Sequence, residues 1–214
     1  LKAIADDRHQ DQPYLASYPL GLYAYDIRSN RFRAIIREPG SQRGAPTDLI
    51  HSLQICDGRL YIGATNGVFS MDLRTSHIRP VIPNRYVAFS RIDQQGNIWT
   101  VDNKAIRKYP LQSPKNFQEY RLNITSNLLY LTTVYDDTEG RIYALTAGSG
   151  LFVLNEETNE FERFPKNNTS LASDHCYKLA DTGHHLLVTG SKGLVVLDRE
   201  GKITKIYSSN VEPF

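Results

Sequence analysis

The sequence predicts an all-β chain of repeated four-stranded sheets, on three observations. Tyr, Val, Ile, Thr and Phe favour half-buried pleated surfaces, and the 214 residues include 13 Tyr and 8 Phe against one Trp and one Met. The i, i+3, i+4, i+7 spacing of an amphipathic helix is sustained nowhere. A glycine-anchored unit of about 43 residues recurs along the whole chain.

The anchor begins the third strand of each unit. Gly21-Leu-Tyr-Ala-Tyr-Asp26, Gly67-Val-Phe-Ser-Met-Asp72, Gly150-Leu-Phe-Val-Leu-Asn155 and Gly193-Leu-Val-Val-Leu-Asp198 share it, with Ala105-Ile-Arg-Lys-Tyr-Pro110 as a degenerate copy. Ten to twelve residues on comes the apolar start of a fourth strand, at Phe32, Ile78, Phe117, Phe161 and Ile203. Nine or ten residues before the anchor is a second glycine, Gly58, Gly96, Gly140 or Gly183, followed by apolar pairs such as Leu60-Tyr61 and Ile142-Tyr143. That is the second strand; in the first unit "QPYLAS" (12–17) takes its place. Further upstream "LIHSLQIC" (49–56), "YVAFSRID" (86–93), "LLYLTTVYD" (128–136) and "HCYKLAD" (175–181) supply the first strand, and "LKAIAD" (1–6) serves the first unit. Turns such as "CDGR" and "TEGR" suit tight hairpins, because Gly accepts positive φ.

Four antiparallel strands at a 40–50-residue period are the signature of a β-propeller, one unit per blade. A lone blade has two apolar faces and cannot cover both; stacking covers them. A β-sandwich would not require five anchors at near-constant offsets. The predicted blades span 1–47, 48–84, 85–122, 123–168 and 169–214, one propeller domain of about five blades or an arc of a larger ring. The arc is the favoured arrangement, because no mixing of N- and C-terminal strands in one blade is visible. It would leave two apolar faces that need a partner surface.

Composition excludes some classes. With 25 basic and 23 acidic residues the formal charge is +2, no basis for nucleic-acid binding. No apolar run approaches the ~20 residues of a membrane helix. The start at Leu1, without Met or signal-like segment, reads as a mature or excised piece. Cys56 and Cys176 lack metal-ligand spacing and read as two buried free thiols, with a bridge between them as the lesser alternative.

The unit resembles the two-component-regulator propeller repeat, "D..G.lWiGT..GL..yd..t..f..y". "DGRLYIGATNGVFSMDLRTSHI" (57–78) follows it most closely, and "QGNIWTVDNKAIRKY" keeps its Trp at Trp99. Tyr143 and Leu187 stand at the Trp position in later units. The family occurs in extracytoplasmic sensor portions of hybrid two-component systems, notably in gut Bacteroidetes. The resemblance implies a periplasmic, non-enzymatic sensor segment that responds to glycan fragments. It also implies neighbouring blades or domains in a longer chain, a following membrane span and kinase, a homodimeric receptor, and no cofactor.

Propeller ligands usually meet one end of the ring. There the turns between second and third strands carry Asn66, Asn103, Lys104 and Lys192, and the connections between blades carry Arg85, Tyr86, Asn127, Asp174 and His175. Such side chains donate and accept in fixed directions, which suits a hydroxyl-rich or anionic ligand. Arg85-Tyr86 and Asp174-His175 stand out, since no turn needs them. Trp99, inside an apolar strand, is expected in the core rather than as a sugar platform. Adjacent His184 and His185 point to opposite faces of a strand, and no metal site is expected. Two other functions remain open. A propeller enzyme acting on carbohydrate would need Asp48, Asp174 and His175 to converge, and a plain interaction scaffold would need no small ligand.

Overall fold

The computed structural model describes residues 3–7, 12–17, 21–37, 45–47, 49–102, 105–120, 122, 131–165, 175–191 and 193–208. Among them twenty strands form five four-stranded antiparallel sheets, each built from four consecutive strands. Blade 1 holds β1 (Ala3–Asp7), β2 (Gln12–Ser17), β3 (Gly21–Asp26) and β4 (Arg31–Ile36). Blade 2 holds β5 (Ile50–Cys56), β6 (Arg59–Ala64), β7 (Gly67–Asp72) and β8 (Ile78–Pro83). Blade 3 holds β9 (Phe89–Ile92), β10 (Asn97–Val101), β11 (Ile106–Pro110) and β12 (Gln118–Tyr120). Blade 4 holds β13 (Leu131–Asp136), β14 (Ile142–Thr146), β15 (Leu151–Asn155) and β16 (Glu160–Phe164). Blade 5 holds β17 (Cys176–Asp181), β18 (Leu186–Gly190), β19 (Gly193–Leu197) and β20 (Ile203–Tyr207). The chain divides into two compact units, Leu1–Thr100 with Lys108–Phe117, and Val101–Arg107 with Gln118–Phe214.

Within each unit the apolar patterning explains the packing. The second strands β6, β10 and β14 read as near-continuous apolar runs because they are buried on both faces. In β6, Leu60, Ile62 and Ala64 face Tyr14, Ala16, Leu22 and Ala24 of blade 1. Tyr61, on the other face, joins Ile92, Ile98 and Tyr109 of blade 3. The alternation follows from the period of two along a strand. In the second unit Tyr143 and Leu145 of β14 meet Cys176, Leu179, Leu186 and Val188 of blade 5. First strands also carry polar joins between blades. Gln54 reaches from β5 to β9, where its amide donates to the Ile92 carbonyl and accepts the Ile92 N–H, both at 2.8 Å. Thr132 Oγ1 of β13 lies 3.0 Å from the Cys176 carbonyl of β17.

The turns repeat as well. In the D-x-x-G turns, Asp93 and Asp137 accept the amides two and four residues on, at 2.8–3.0 Å, and Gly96 and Gly140 close the turns with φ of +78° and +81°. Between third and fourth strands, Asp26, Asp72 and Asn155 each accept two amides, and Asn30, Ser76 and Asn159 follow with φ of 54–57°. Short polar residues tolerate that left-handed conformation.

Trp99 is 1% exposed, and its indole N–H donates to Asp93 Oδ2 at 2.7 Å. It therefore ties the core to the D-x-x-G turn. Replacing Trp99 with Phe keeps an aromatic core but removes a donor to a carboxylate, with an expected cost of about 2 kcal/mol. The denaturation midpoint in urea should fall with an unchanged slope; an unchanged midpoint would mean the bond adds nothing.

Candidate functional site at the loop end of the blades

In an antiparallel four-strand sheet, the turn after the second strand and the connection leaving the fourth lie at the same end. Of the sequence-predicted site residues, Asn66, Arg85, Tyr86 and His175 belong to that end. Asn103, Lys104, Asn127, Asp174 and Lys192 lie outside the described residues, as does Asp48. Asn66, Arg85, Tyr86 and His175 lie within them.

In the first unit, Asn66 Nδ2 donates to Thr47 Oγ1 at 2.5 Å, and Asn66 Oδ1 is buried without a partner among the described residues. His51 Nε2 lies 2.7 Å from Thr65 Oγ1. The Val87 N–H donates to the Thr65 carbonyl at 3.1 Å and holds the connection from blade 2 to blade 3 against this turn. Within that connection Arg85 places its guanidinium 4.8 Å from the centre of the Phe117 ring. Arg85 is thus engaged in a cation–π contact, whereas its neighbour Tyr86 is 48% exposed.

In the second unit, Asp102 accepts the Ala105 N–H at 2.8 Å and pairs with Arg107, which also donates to Glu119 at 2.9 Å. Those charges close a turn. His175 sits between two turns: it bridges to Ala147, and its carbonyl accepts the Ser191 N–H at 3.0 Å. Its imidazole is exposed and lies 6.4 Å, ring to ring, from Tyr177, itself 51% exposed. Arg163 closes the neighbouring turn by donating to the Ser149 carbonyl at 2.8 Å.

Sequence reasoning missed Tyr177. The pairing register slips at the same place in three first strands, between Ile50 and Ser52, Leu131 and Thr133, and Cys176 and Lys178. His51, Thr132 and Tyr177 are the residues passed over, so β5, β13 and β17 each carry a β-bulge near the loop end. A bulge re-aims a side chain, and here it leaves both neighbours of the buried Cys176 exposed. The signal is present in the sequence, since apolar side chains at 50 and 53, 131 and 134, and 176 and 179 are three apart instead of two.

The opposite end of the second unit fixes blades 4 and 5 to each other. Arg199 donates to Asp137 Oδ2 at 3.2 Å, Asp181 Oδ1 at 2.7 Å, Thr138 Oγ1 at 3.0 Å and the Gly183 carbonyl at 2.7 Å. Arg141 donates to Asp137 at 2.8 Å and to the Arg199 carbonyl at 3.0 Å. Burial opposes the charge on Asp181. The Thr138 amide and hydroxyl, the Gly183 amide and Arg199 outweigh it and hold the carboxyl far below the usual range. Burial, and then the charge of Asp137, push the Tyr143 phenol up. These carboxylates serve the architecture. Among the described residues no group of three or more His, Cys, Asp or Glu could hold a metal. Both cysteines are free thiols, Cys176 buried and Cys56 partly so, with burial pushing the Cys56 thiol up.

No protein-family model and no curated protein matches the chain. Solved structures do. The extracellular domain of the hybrid two component system BT4673 from B. thetaiotaomicron superposes with a TM-score of 0.75 at 18% identity, over 99% of this chain and 28% of that one. The corresponding domain of BT3049 from the same organism gives 0.61 at 17%, over 97% and 34%. Virginiamycin B lyase from Staphylococcus aureus gives 0.69 at 12%, over 95% and 68%. The chain therefore spans little more than a quarter of the BT4673 domain. It has the fold these proteins share, a β-propeller of four-stranded blades, and the class that its repeat resembles is among them.

Proposed function

We propose that the chain is part of the ligand-recognition propeller of an extracytoplasmic sensor, and that its ligand is a glycan fragment. The observation that carries this is the likeness to an extracellular two-component domain over 99% of the chain. In the second unit the loop end supports it, because His175 and Tyr177 stand exposed beside one another on either side of buried Cys176. Aromatic rings beside hydrogen-bonding groups suit a sugar, whose CH faces are apolar and whose rim is polar. In the whole receptor, ligand would bias packing against neighbouring domains and so a dimeric kinase.

A thermal-shift screen of the chain against neutral and acidic oligosaccharides tests this. At least one is expected to raise Tm, and H175A/Y177A is expected to reduce that rise by more than half at an unchanged ligand-free Tm. A panel without any shift overturns the glycan reading and favours a scaffold.

The likeness to a lyase, together with exposed His175, favours a second reading as an enzyme. Incubation with virginiamycin B followed by mass spectrometry decides it: turnover lost in His175→Gln would replace the sensor reading, and no turnover removes the lyase.

A further inference from the structure

Blade 1 carries a groove of about 570 Å³ that belongs to neither the loop end nor the core. Gln12 of β2, Asp26 at the end of β3, Arg31 and Arg33 of β4, and Arg28 and Arg37 line it. The register explains the grouping. Tyr14 pairs with Ala24, Ala24 with Arg33 and Asp26 with Arg31. Strand alternation therefore sends Gln12, Asp26, Arg31 and Arg33 to the face that holds buried Tyr14 and Ala24. At 31 and 33 that face opens to solvent.

Among the described residues four arginines and one carboxylate line the groove, a positive excess at one place in a chain whose formal charge is only +2. The carboxylate is engaged, since Asp26 Oδ1 accepts the Arg28 and Ser29 amides at 2.9 and 3.2 Å. Among the described residues none of the four arginines pairs with an acidic side chain within 4.0 Å. Clustered like charges repel one another and give the fold nothing. Nor does the repeat require them. Register places Glu160 and Glu162 of β16 opposite Asn155 and Val153, where β4 has Arg31 and Arg33 opposite Asp26 and Ala24.

We propose that this groove binds an acidic oligosaccharide, with carboxylate or sulfate groups on the arginine forks and a hydroxyl on the Gln12 amide. Planar guanidinium forks match both anions. Phe32 and Ala34, from the other face of β4, also line the concavity, so it wraps the outer strand; its charge comes from the arginine side chains, which suits an anionic ligand. Its volume falls in the range of small-ligand sites. The proposal rests on the glycan reading above and names a second site and a ligand class for it.

Calorimetric titration of the chain with tetragalacturonate, a heparin tetrasaccharide, maltotetraose and hexaglutamate tests it, each at low and high salt. One of the two anionic sugars is expected to bind, with affinity falling as salt rises, and which one binds tells carboxylate from sulfate. R31Q/R33Q is expected to weaken binding about tenfold or more, as two charge-assisted contacts are lost. R74Q/K202Q removes the same charge from exposed turns elsewhere and is expected to change it less than about twofold. All four positions are exposed, so melts of both variants should match the parent. Equal weakening by both double variants, or hexaglutamate binding as tightly as the sugars, overturns the site. Maltotetraose binding unaffected by R31Q/R33Q, with no acidic sugar bound, overturns the site but leaves the glycan reading standing. No binding by any sugar overturns both.

Discussion

Arg199→Met is expected to destabilise the second unit by about 3–5 kcal/mol, the usual cost of removing one partner from a buried ion pair. Its guanidinium is 15% exposed and neutralises Asp137 and Asp181, which are 0% and 1% exposed. Met keeps most of the stem but leaves two buried carboxylates short of a donor. For a chain of this size the melting temperature should fall by roughly 10 °C. The pH dependence supplies a second reading. Asp181 has a folded-state pKa below its ordinary value of 3.8, so its stabilisation is full above about pH 4 and is lost as pH falls through the lowered pKa. The gap between parent and R199M should therefore be constant from pH 7 to about pH 4.5 and shrink on further acidification. A gap that stays constant on acidification would show that Arg199 acts by packing alone.

Gly67→Ala is expected to cost about 3 kcal/mol, whereas Gly58→Ala should cost about 1. Both glycines have positive φ, +144° and +69°. A Cβ on Gly58 meets nothing within 4 Å, so the loss is the conformational penalty alone. A Cβ on Gly67 would stand 2.2 Å from the Ile82 carbonyl oxygen, so the ladder joining β7 and β8 must give way in addition. Chemical denaturation of the two variants measures the difference. Equal losses would mean that β8 yields without cost.

The same contrast explains what was legible in the sequence. Anchors such as Gly67 are visible because backbone geometry admits almost nothing else there, and second strands such as β6 are visible because burial on both faces makes them apolar throughout. The candidate sites are less so. Arg85 reads as a ligand donor until Phe117, thirty-two positions away in the chain, is found beneath it. Tyr177 hides behind a one-residue slip that changes its face without changing composition. Arg28, Arg31, Arg33 and Arg37 look like an ordinary solvated turn and outer strand, because only the register places Arg31 and Arg33 on the same face as Gln12. Turn geometry is a local property; convergence of side chains is not.

The polar joins between blades have an evolutionary consequence. Gln54 grips the peptide group of Ile92 and ignores its side chain, and Thr132 does the same with Cys176. Such a join is blind to what residue occupies the neighbouring strand. Residues 92 and 176 are then free to drift so long as they still fill their pockets, and the partner blade need not drift with them. Blades joined in this way can be duplicated, exchanged or diverge one at a time without disturbing the join.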